Sequence, residues 1–209
     1  MERNNFPKML KMLSAPNTPA GVIGPNALTQ FLDPIDRQCG PDVRKTLLKT
    51  ASIAALPDMS GLIPEGPVAR FHQAVRRTLP HFAEQLCRQA GTGTADYVLQ
   101  HRIPKPAQFV LRHLPPPVSA KLLAKAIARN AWTFSGSGQF QISSKDPLVL
   151  KLFDNPLIAG EVSQAPICFW NTAVFERLYQ VLVNPAARVK ETSCMACGDP
   201  SCDFEVTFR

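Results

Sequence analysis

The spacing of apolar residues over the first part of the chain predicts helices. Two stretches, "PNALTQFLDPIDRQCG" and "PDVRKTLLKTASIAAL", have a helical pattern, and Gly40-Pro41 between them combines a helix stop with a helix start. They predict a helical hairpin over residues 25–54. A longer pattern over 67–90 places apolar residues three and four apart, and Pro80 is expected to kink or split it.

The following segment, "GTGTADYVLQHRIP", is expected to form a helix C-cap and turn. Its glycines complete no phosphate-binding motif, since no strand precedes them and neither known spacing is present. Two shorter helices are predicted over 105–113 and 117–130, separated by three prolines.

After Asn130 the pattern changes to the alternation that is typical of strands. Trp132 and Phe134 alternate with polar residues before "SGSGQ", as do Phe140 and Ile142 after it, which predicts a hairpin. "PLVLKLFD" predicts a third strand, a helix follows over the segment with Val174, and two strands close the chain. The predicted fold class is α+β: N-terminal helices packed on an antiparallel sheet with one inserted helix.

Composition limits the number of domains and the classes of partner. A chain of 209 residues with 45% apolar composition supports one well-buried core, so we expect a single domain over 25–209 after a loosely ordered, proline-containing arm over 1–24. The N-terminal "MERNNFPKMLKMLSAP" lacks the apolar core of a secretory signal, which predicts a cytoplasmic protein. The net charge of +7 favours an anionic partner, but no nucleic-acid-binding signature accompanies it, so none is expected to be a nucleic acid.

Chemistry concentrates in the C-terminal stretch "KETSCMACGDPSCDFEVTFR". Strand parity places Cys202 on the core side with Phe204, and it places Glu191 beside apolar neighbours. A buried carboxylate is costly unless a cation or hydrogen-bond donors meet it. The turn at "GDPS" folds the chain back and is expected to bring Glu191, Cys194 and Cys202 close together.

Three kinds of site are compatible with these cysteines. A disulfide is disfavoured in a reducing cytoplasm. An iron-sulfur cluster would require four thiolates, from Cys168, Cys194, Cys197 and Cys202. A structural zinc site is favoured because Zn²⁺ accepts mixed thiolate and carboxylate ligands. Spacing alone does not settle the ligand set.

The stretch "ETSCMACGDPSCDFEV", which follows "ICFWNTAVFERLYQVLV", resembles the closing motif of the 4-vinyl reductase domain family. The resemblance extends over residues 21–209 and is strongest to the family's bacteriochlorophyll-biosynthesis branch. It implies a structural zinc ion, which pins the inserted helix to the terminal strands and takes no part in catalysis. The implied ligands are Cys168, Glu191, Cys194 and Cys202, with Cys197 as the alternate for Glu191.

The resemblance also implies a pocket between helices and sheet for a tetrapyrrole, such as divinyl Mg-protoporphyrin or protochlorophyllide. Aromatic side chains near the predicted sheet are candidates to line it, although a core role explains each of them as well. These are Trp132, Phe134, Phe140, Phe169 and Trp170. The histidines at 72, 81, 101 and 113 include candidate axial ligands of the pigment's Mg, and none is singled out.

Function is where the resemblance and the residues diverge. Vinyl reduction needs an electron source, and the chain has no dinucleotide fingerprint. The first hypothesis is therefore a bacteriochlorophyll-biosynthesis accessory protein that binds and delivers or stabilises a tetrapyrrole intermediate. An 8-vinyl (older numbering 4-vinyl) reductase is the alternative, and a ligand-sensing regulator is the second.

The first hypothesis carries expectations about partners and location. The expected partners are pathway enzymes such as the Mg-chelatase or a vinyl reductase. The resemblance also implies a homodimer through the hairpin over 25–54, and a cytoplasmic location that extends to the periphery of the photosynthetic membrane.

Overall fold

The structure is a computed structural model that describes residues 21–143 and 146–208. Most of the predicted N-terminal arm, residues 1–20, lies outside this part of the chain. The helices are α1 (Asn26–Thr29), α2 (Leu32–Cys39), α3 (Pro41–Thr50), α4 (Glu65–Thr78), α5 (Ala83–His101), α6 (Lys105–His113), α7 (Pro116–Arg129) and α8 (Phe169–Leu182). The strands are β1 (Val22–Ile23), β2 (Ile63–Pro64), β3 (Gln139–Ser143), β4 (Leu148–Phe153), β5 (Arg188–Ser193) and β6 (Cys202–Thr207).

The last four strands form an antiparallel sheet in the order β3–β4–β6–β5, while β1 and β2 form a separate two-stranded pair. Helix α8 is inserted between β4 and β5 and packs along both β5 and α5. The Phe175 ring of α8 is fully buried, with its centroid 5.2 Å from Phe204 and 5.5 Å from Phe134. Helices followed by an antiparallel sheet with one inserted helix are the predicted α+β fold, which is confirmed.

The split predicted at Pro80 is confirmed, because α4 ends at Thr78 and α5 begins at Ala83. Helices α2 and α3 lie within the predicted hairpin and meet at Gly40, whose φ of +87° suits glycine. The dimer role of that hairpin stays a prediction.

The predicted cap and turn at Gly91 and Gly93 is wrong, because α5 continues through both to His101. A glycine weakens a helix in isolation, but here Gly91 allows α5 to approach α8 closely. A Cβ on Gly91 would lie 2.4 Å from the carbonyl oxygen of Trp170 and 2.8 Å from Ala173 Cβ. Packing against α8 therefore outweighs local propensity.

Gly91→Ala is expected to destabilise the protein, because the added methyl meets the backbone of α8 rather than a movable side chain. Overpacking of this kind costs about 2 kcal/mol, which lowers the Tm by about 4–8 °C in a chain of this size. The control is Gly61→Ala, where an added Cβ meets nothing within 4 Å. Thermal unfolding followed by circular dichroism compares the two; an unchanged Tm for Gly91→Ala would contradict the packing argument.

The strand predicted at Trp132 and Phe134 is also wrong. Residues Ala131–Thr133 form a single 3-10 turn, and β3 pairs with β4 instead. Alternation of aromatic and polar residues over so short a run does not separate a strand from a turn that buries the same side chains. Phe134 still packs on Phe140, with ring centroids 5.3 Å apart, so the aromatic contact forms without the strand.

Candidate metal centre and ligand groove

A cluster of three thiols and one carboxylate forms where α8, β5 and β6 begin or end. Cys168 directly precedes α8, Glu191 lies in β5, Cys194 follows β5, and Cys202 begins β6. The pairing of β5 with β6 shifts register between Glu191 and Ser193. Such a bulge redirects side chains at the end of a strand. A tight turn at Gly198, with φ of +94°, then returns the chain to β6.

The potential ligand atoms of Cys168, Glu191, Cys194 and Cys202 all lie within 4.8 Å of one another. The Sγ atom of Cys168 is 3.4 Å from that of Cys202 and 4.0 Å from that of Cys194. These separations are longer than the about 2.05 Å of a disulfide bond. All four side chains are buried, Glu191 being the most exposed at 9%. The structure thus brings together residues that are distant in sequence, Cys168 included.

The electrostatics of the cluster favour a cation. Burial raises the pKa of Glu191 to about 8, and Oε1 of this carboxylate is buried with no hydrogen-bond partner among the described residues. Hydrogen bonds from the thiols of Cys168 and Cys202 lower the pKa of Cys194, while the pKa of Cys168 rises. Without a metal, the buried cluster therefore shares one thiolate and an unpartnered carboxylate, which is an unfavourable state.

The cluster fits a tetrahedral Zn²⁺ site. Zinc-ligand bonds of about 2.0–2.3 Å place the ligand atoms about 3.5–3.8 Å apart. The observed sulfur separations of 3.4 Å and 4.0 Å bracket this range. Three thiolates and one carboxylate complete four-coordination, so the chemistry of the donor set and the unpartnered Glu191 oxygen both suit a structural zinc ion.

Cys197 lies outside the cluster and is exposed to solvent, whereas the other three cysteines of the C-terminal region are buried. An iron-sulfur cluster held by four thiolates would need this sulfur in the group. The geometry therefore favours the mixed cysteine and glutamate set.

Asn155 is a residue of this site that sequence reasoning missed. It is 1% exposed, and its Nδ2 lies 3.4 Å from Cys168 Sγ and 3.9 Å from Cys202 Sγ. Its Oδ1 accepts a hydrogen bond from the Leu157 amide at 3.1 Å, which fixes its orientation. A side chain so placed donates to metal-bound thiolates and orients them. The only signal in the sequence is an Asn-Pro pair after a strand, which predicts no more than a turn.

The five aromatic residues proposed to line a pocket do not share one surface. Phe134 and Phe140 pack around Phe175 in the core, and Trp132 is partly buried in the 3-10 turn. Trp170 is 2% exposed, and its indole N–H has no partner among the described residues. Phe169 is partly exposed, and the Arg88 guanidinium carbon lies 5.9 Å from its ring centroid.

A groove of about 760 Å³ lies between α1–α2 and α5. This volume is within the range of small-molecule sites, about 300–1,000 Å³. Its lining includes Asp33, Arg37, His81, Glu84, Arg88 and Gly93. Arg37 pairs with Asp33 at 2.7 Å and Arg88 with Glu84 at 2.9 Å. Each guanidinium has five N–H donors, so donors remain for a ligand beyond these exposed pairs.

Of the four histidines, His81 lines the groove and His72 is buried in the core. The Nε2 atom of His72 lies 2.8 Å from the carbonyl oxygen of Ala27 and so donates its proton there. Its ring makes edge contacts with Phe31 and Trp170. Burial, together with the nearby Arg76 charge, lowers the pKa of His72 to about 3. His72 is therefore a neutral core residue and not a free ligand.

The lowered pKa of His72 predicts a pH-dependent contribution to stability. The unfolded chain protonates this residue below about pH 6.5, whereas the folded state keeps it neutral until about pH 3. Its contribution is complete above pH 6.5 and is lost as the pH falls toward 3, by about 1.4 kcal/mol per pH unit.

Urea unfolding of wild type and His72→Gln at pH 7 and pH 5 measures this effect. The wild type is expected to lose about 2 kcal/mol more than His72→Gln between these two values, because glutamine does not titrate. The control, His113→Gln, replaces an exposed histidine and should behave as wild type. Equal losses in all three proteins would show that His72 is not held neutral.

Within the described residues, no helix is both long enough and apolar enough to cross a bilayer. The profile of the 4-vinyl reductase domain matches residues 148–208, which contain the whole thiol and carboxylate cluster. The corresponding prediction of a 4-vinyl reductase family domain is thereby confirmed.

Solved structures share the fold at low sequence identity. An H-NOX protein from S. oneidensis in its Fe(II)NO state aligns with a TM-score of 0.59 and 14% identity, covering 90% of this chain and 99% of that one. Another H-NOX structure, described by its heme distortion, aligns with a TM-score of 0.56 and 11% identity, covering 90% and 95%. At such identities the likeness establishes the fold alone.

Two proteins of known sequence are similar over nearly the full chain. The bacteriochlorophyll synthase 23 kDa chain of Cereibacter sphaeroides is 44% identical over 184 residues, 88% of this chain and 89% of the relative. The protein of the same name from Rhodobacter capsulatus is 41% identical over 190 residues, 91% of this chain and 89% of the relative. The chain therefore belongs to the family of the bacteriochlorophyll synthase 23 kDa chain.

Proposed function

We propose that this protein acts in bacteriochlorophyll biosynthesis as an accessory protein, which binds a tetrapyrrole intermediate and stabilises or delivers it. The observation that carries the proposal is the groove of about 760 Å³ between α1–α2 and α5, in a chain 44% identical to a bacteriochlorophyll synthase chain. The fold shared with an H-NOX protein described by its heme supports a tetrapyrrole as the ligand class. Intermediates of the divinyl Mg-protoporphyrin or protochlorophyllide type fit this description.

The groove supplies groups that suit the polar edge of such a pigment. A tetrapyrrole precursor carries carboxylate side chains on a flat apolar ring. Arg37 and Arg88 offer guanidinium donors for the carboxylates, and charge-assisted bonds of this kind are among the stronger ones. The exposed imidazole of His81 on the same wall is a nitrogen ligand of the kind that Mg accepts. Phe169, beside Arg88, is the member of the predicted aromatic set nearest the groove.

We propose that the cluster of Cys168, Glu191, Cys194 and Cys202 holds a structural zinc ion. The ion would supply only charge compensation and a four-way link, since protein ligands fill its coordination sphere. That link joins the start of α8 to the ends of β5 and β6, and α8 in turn packs along α5, which forms one wall of the groove. The metal would thus position the groove without contacting the pigment.

Pathway enzymes that act on the bound pigment are the proposed partners. The relatives' name makes them one chain of a synthase, which supports association with such enzymes. A Mg-chelatase or a vinyl reductase would release to, or receive from, this protein a pigment that is poorly soluble in water. Whether the hairpin over 25–54 also forms a homodimer is a separate prediction.

The experiment that tests delivery against catalysis uses purified, metal-replete protein and a divinyl Mg-tetrapyrrole. The pigment is incubated with the protein, with and without reduced nicotinamide cofactors, and extracted for chromatography. The accessory role predicts bound pigment whose vinyl group is unchanged under both conditions. Conversion of the vinyl to an ethyl group by the protein and reduced cofactor alone would overturn it in favour of the reductase.

A further inference from the structure

The positive charge of the chain is concentrated in one segment. Between Asp96 and Ser143 the sequence contains six Lys and Arg residues and neither Asp nor Glu, so this segment carries +6 of the chain's formal +7. The six are Arg102, Lys105, Arg112, Lys121, Lys125 and Arg129. All are exposed, and they lie on α6, on α7 or just before α6.

These cations differ from the others in what they contact. Arg37, Lys45 and Arg88 on other helices each pair with a carboxylate. Over the described residues, none of the six cations of the segment forms an ion pair within 4.0 Å. Their charge is therefore not neutralised by neighbouring groups of the protein.

The same two helices expose large apolar side chains. Phe109 and Val110 on α6 are 63% and 52% exposed, and Val118 and Leu122 on α7 are 48% and 44% exposed. On α7, Val118, Lys121, Leu122 and Lys125 follow one another at spacings of three and four, so apolar and basic side chains alternate along a single face. The opposite face of α7 buries Leu123 and Ile127.

Both helices pack against α8 on their inner sides, which leaves the outer sides to the solvent. We call this outer side the α6–α7 surface; it consists of Phe109, Val110, Val118 and Leu122 with the six cations. We propose that the α6–α7 surface docks on an anionic lipid surface, with its apolar side chains inserted at the headgroup boundary. This assignment is independent of the pigment and would hold even if no pigment bound.

Charge and apolarity together select a membrane from other occupants. Amphipathic helices that lie in a bilayer interface combine lysines and arginines on the polar flank with Phe, Leu or similar residues on the inserted face. Lysine stems extend along the apolar surface while their ammonium groups reach the phosphates. A second copy of the chain is a poor occupant, because each copy would present six unpaired cations to the other.

The test is co-sedimentation of the full-length, metal-replete protein with vesicles. Pure phosphatidylcholine vesicles are compared with vesicles that also contain phosphatidylglycerol, at low and high salt. Wild type is expected to bind only the anionic vesicles and to dissociate as salt rises. Lys121→Gln/Lys125→Gln is expected to bind about 25-fold more weakly, from about fivefold per lysine. Phe109→Ser/Leu122→Ser is expected to lose about 10-fold or more through its apolar contacts.

Matched variants separate docking from general charge and from misfolding. Lys45→Gln/Lys49→Gln removes the same charge from exposed positions of α3, and Val162→Ser removes an apolar side chain that is 94% exposed. Both should bind as wild type, and every variant should keep the wild-type Tm. Equal binding to neutral vesicles, or full binding by Phe109→Ser/Leu122→Ser, would overturn the proposal. So would a wild-type dimer that the same variant dissociates, since a second copy would then cover this surface.

Discussion

Cys202→Ser is expected to abolish stoichiometric zinc binding and to lower the thermal stability of the protein by more than Gly91→Ala does. Cys202 is fully buried, and its sulfur lies 3.4 Å from that of Cys168. A metal at about 1,000 times its Kd stabilises the folded state by about 4 kcal/mol. For a chain of this size the loss corresponds to about 8–16 °C in Tm.

The measurement pairs elemental analysis with thermal unfolding, each with and without a chelator. Chelator is expected to lower the Tm of the wild type and to leave that of Cys202→Ser unchanged. Cys197→Ser is the control, because Cys197 is exposed and lies outside the cluster. It should retain zinc and the wild-type Tm. Loss of metal from Cys197→Ser, or iron with inorganic sulfide in the wild type, would contradict the assigned ligand set.

The same site predicts that acid releases the metal. Zinc binds deprotonated ligands, and the pKa of Glu191 in the metal-free cluster is raised to about 8. Protons therefore compete with the ion at every ligand, so affinity falls as the pH falls. Elemental analysis after dialysis against a chelator at a series of pH values checks this, and metal retention that does not depend on pH would contradict it.

The second large effect is expected at the groove. Arg37→Gln and Arg88→Gln should each weaken binding of a Mg-tetrapyrrole dicarboxylate by about 10–100-fold, because a hydrogen bond to a charged group contributes about 1.5–3 kcal/mol. Fluorescence titration gives the Kd of each variant. Arg77→Gln, an exposed arginine of α4 outside the groove lining, is the control and should bind as wild type.

A chemical control sharpens this prediction. The diester of the same pigment lacks both carboxylates, so the wild type and the two groove variants should bind it with similar affinity. If the variants bind the free dicarboxylate as well as wild type does, the groove is not the site. If they lose the diester equally, the arginines support the shape of the groove and not its recognition of carboxylates.

Sequence reasoning reached the fold class because the change from helical to alternating patterns is a local signal. It placed Glu191 on a buried face by strand parity, and the structure shows that carboxylate beside three sulfurs. Cys168 was beyond local reasoning, since a segment including α8 separates it from the other ligands; the family resemblance supplied it. Both its errors, at Gly91 and at Trp132, came from local rules that tertiary packing overrode.

Other features had no local signal at all. Asn155 reaches two sulfurs only because the turn after β4 returns beneath α8. The groove is formed by α1–α2 and α5, which are separated by the whole of α3 and α4. Its arginines are ordinary surface residues in the sequence, and their common wall follows from the arrangement of the helices.

The central claim is that this protein binds a tetrapyrrole, and an absorption titration of metal-replete wild type with Mg-protoporphyrin tests it most directly. The account predicts saturable binding, with a shifted Soret band and an end point of one pigment per chain. A Soret band that stays unshifted, or a signal that rises linearly without saturation, would contradict it.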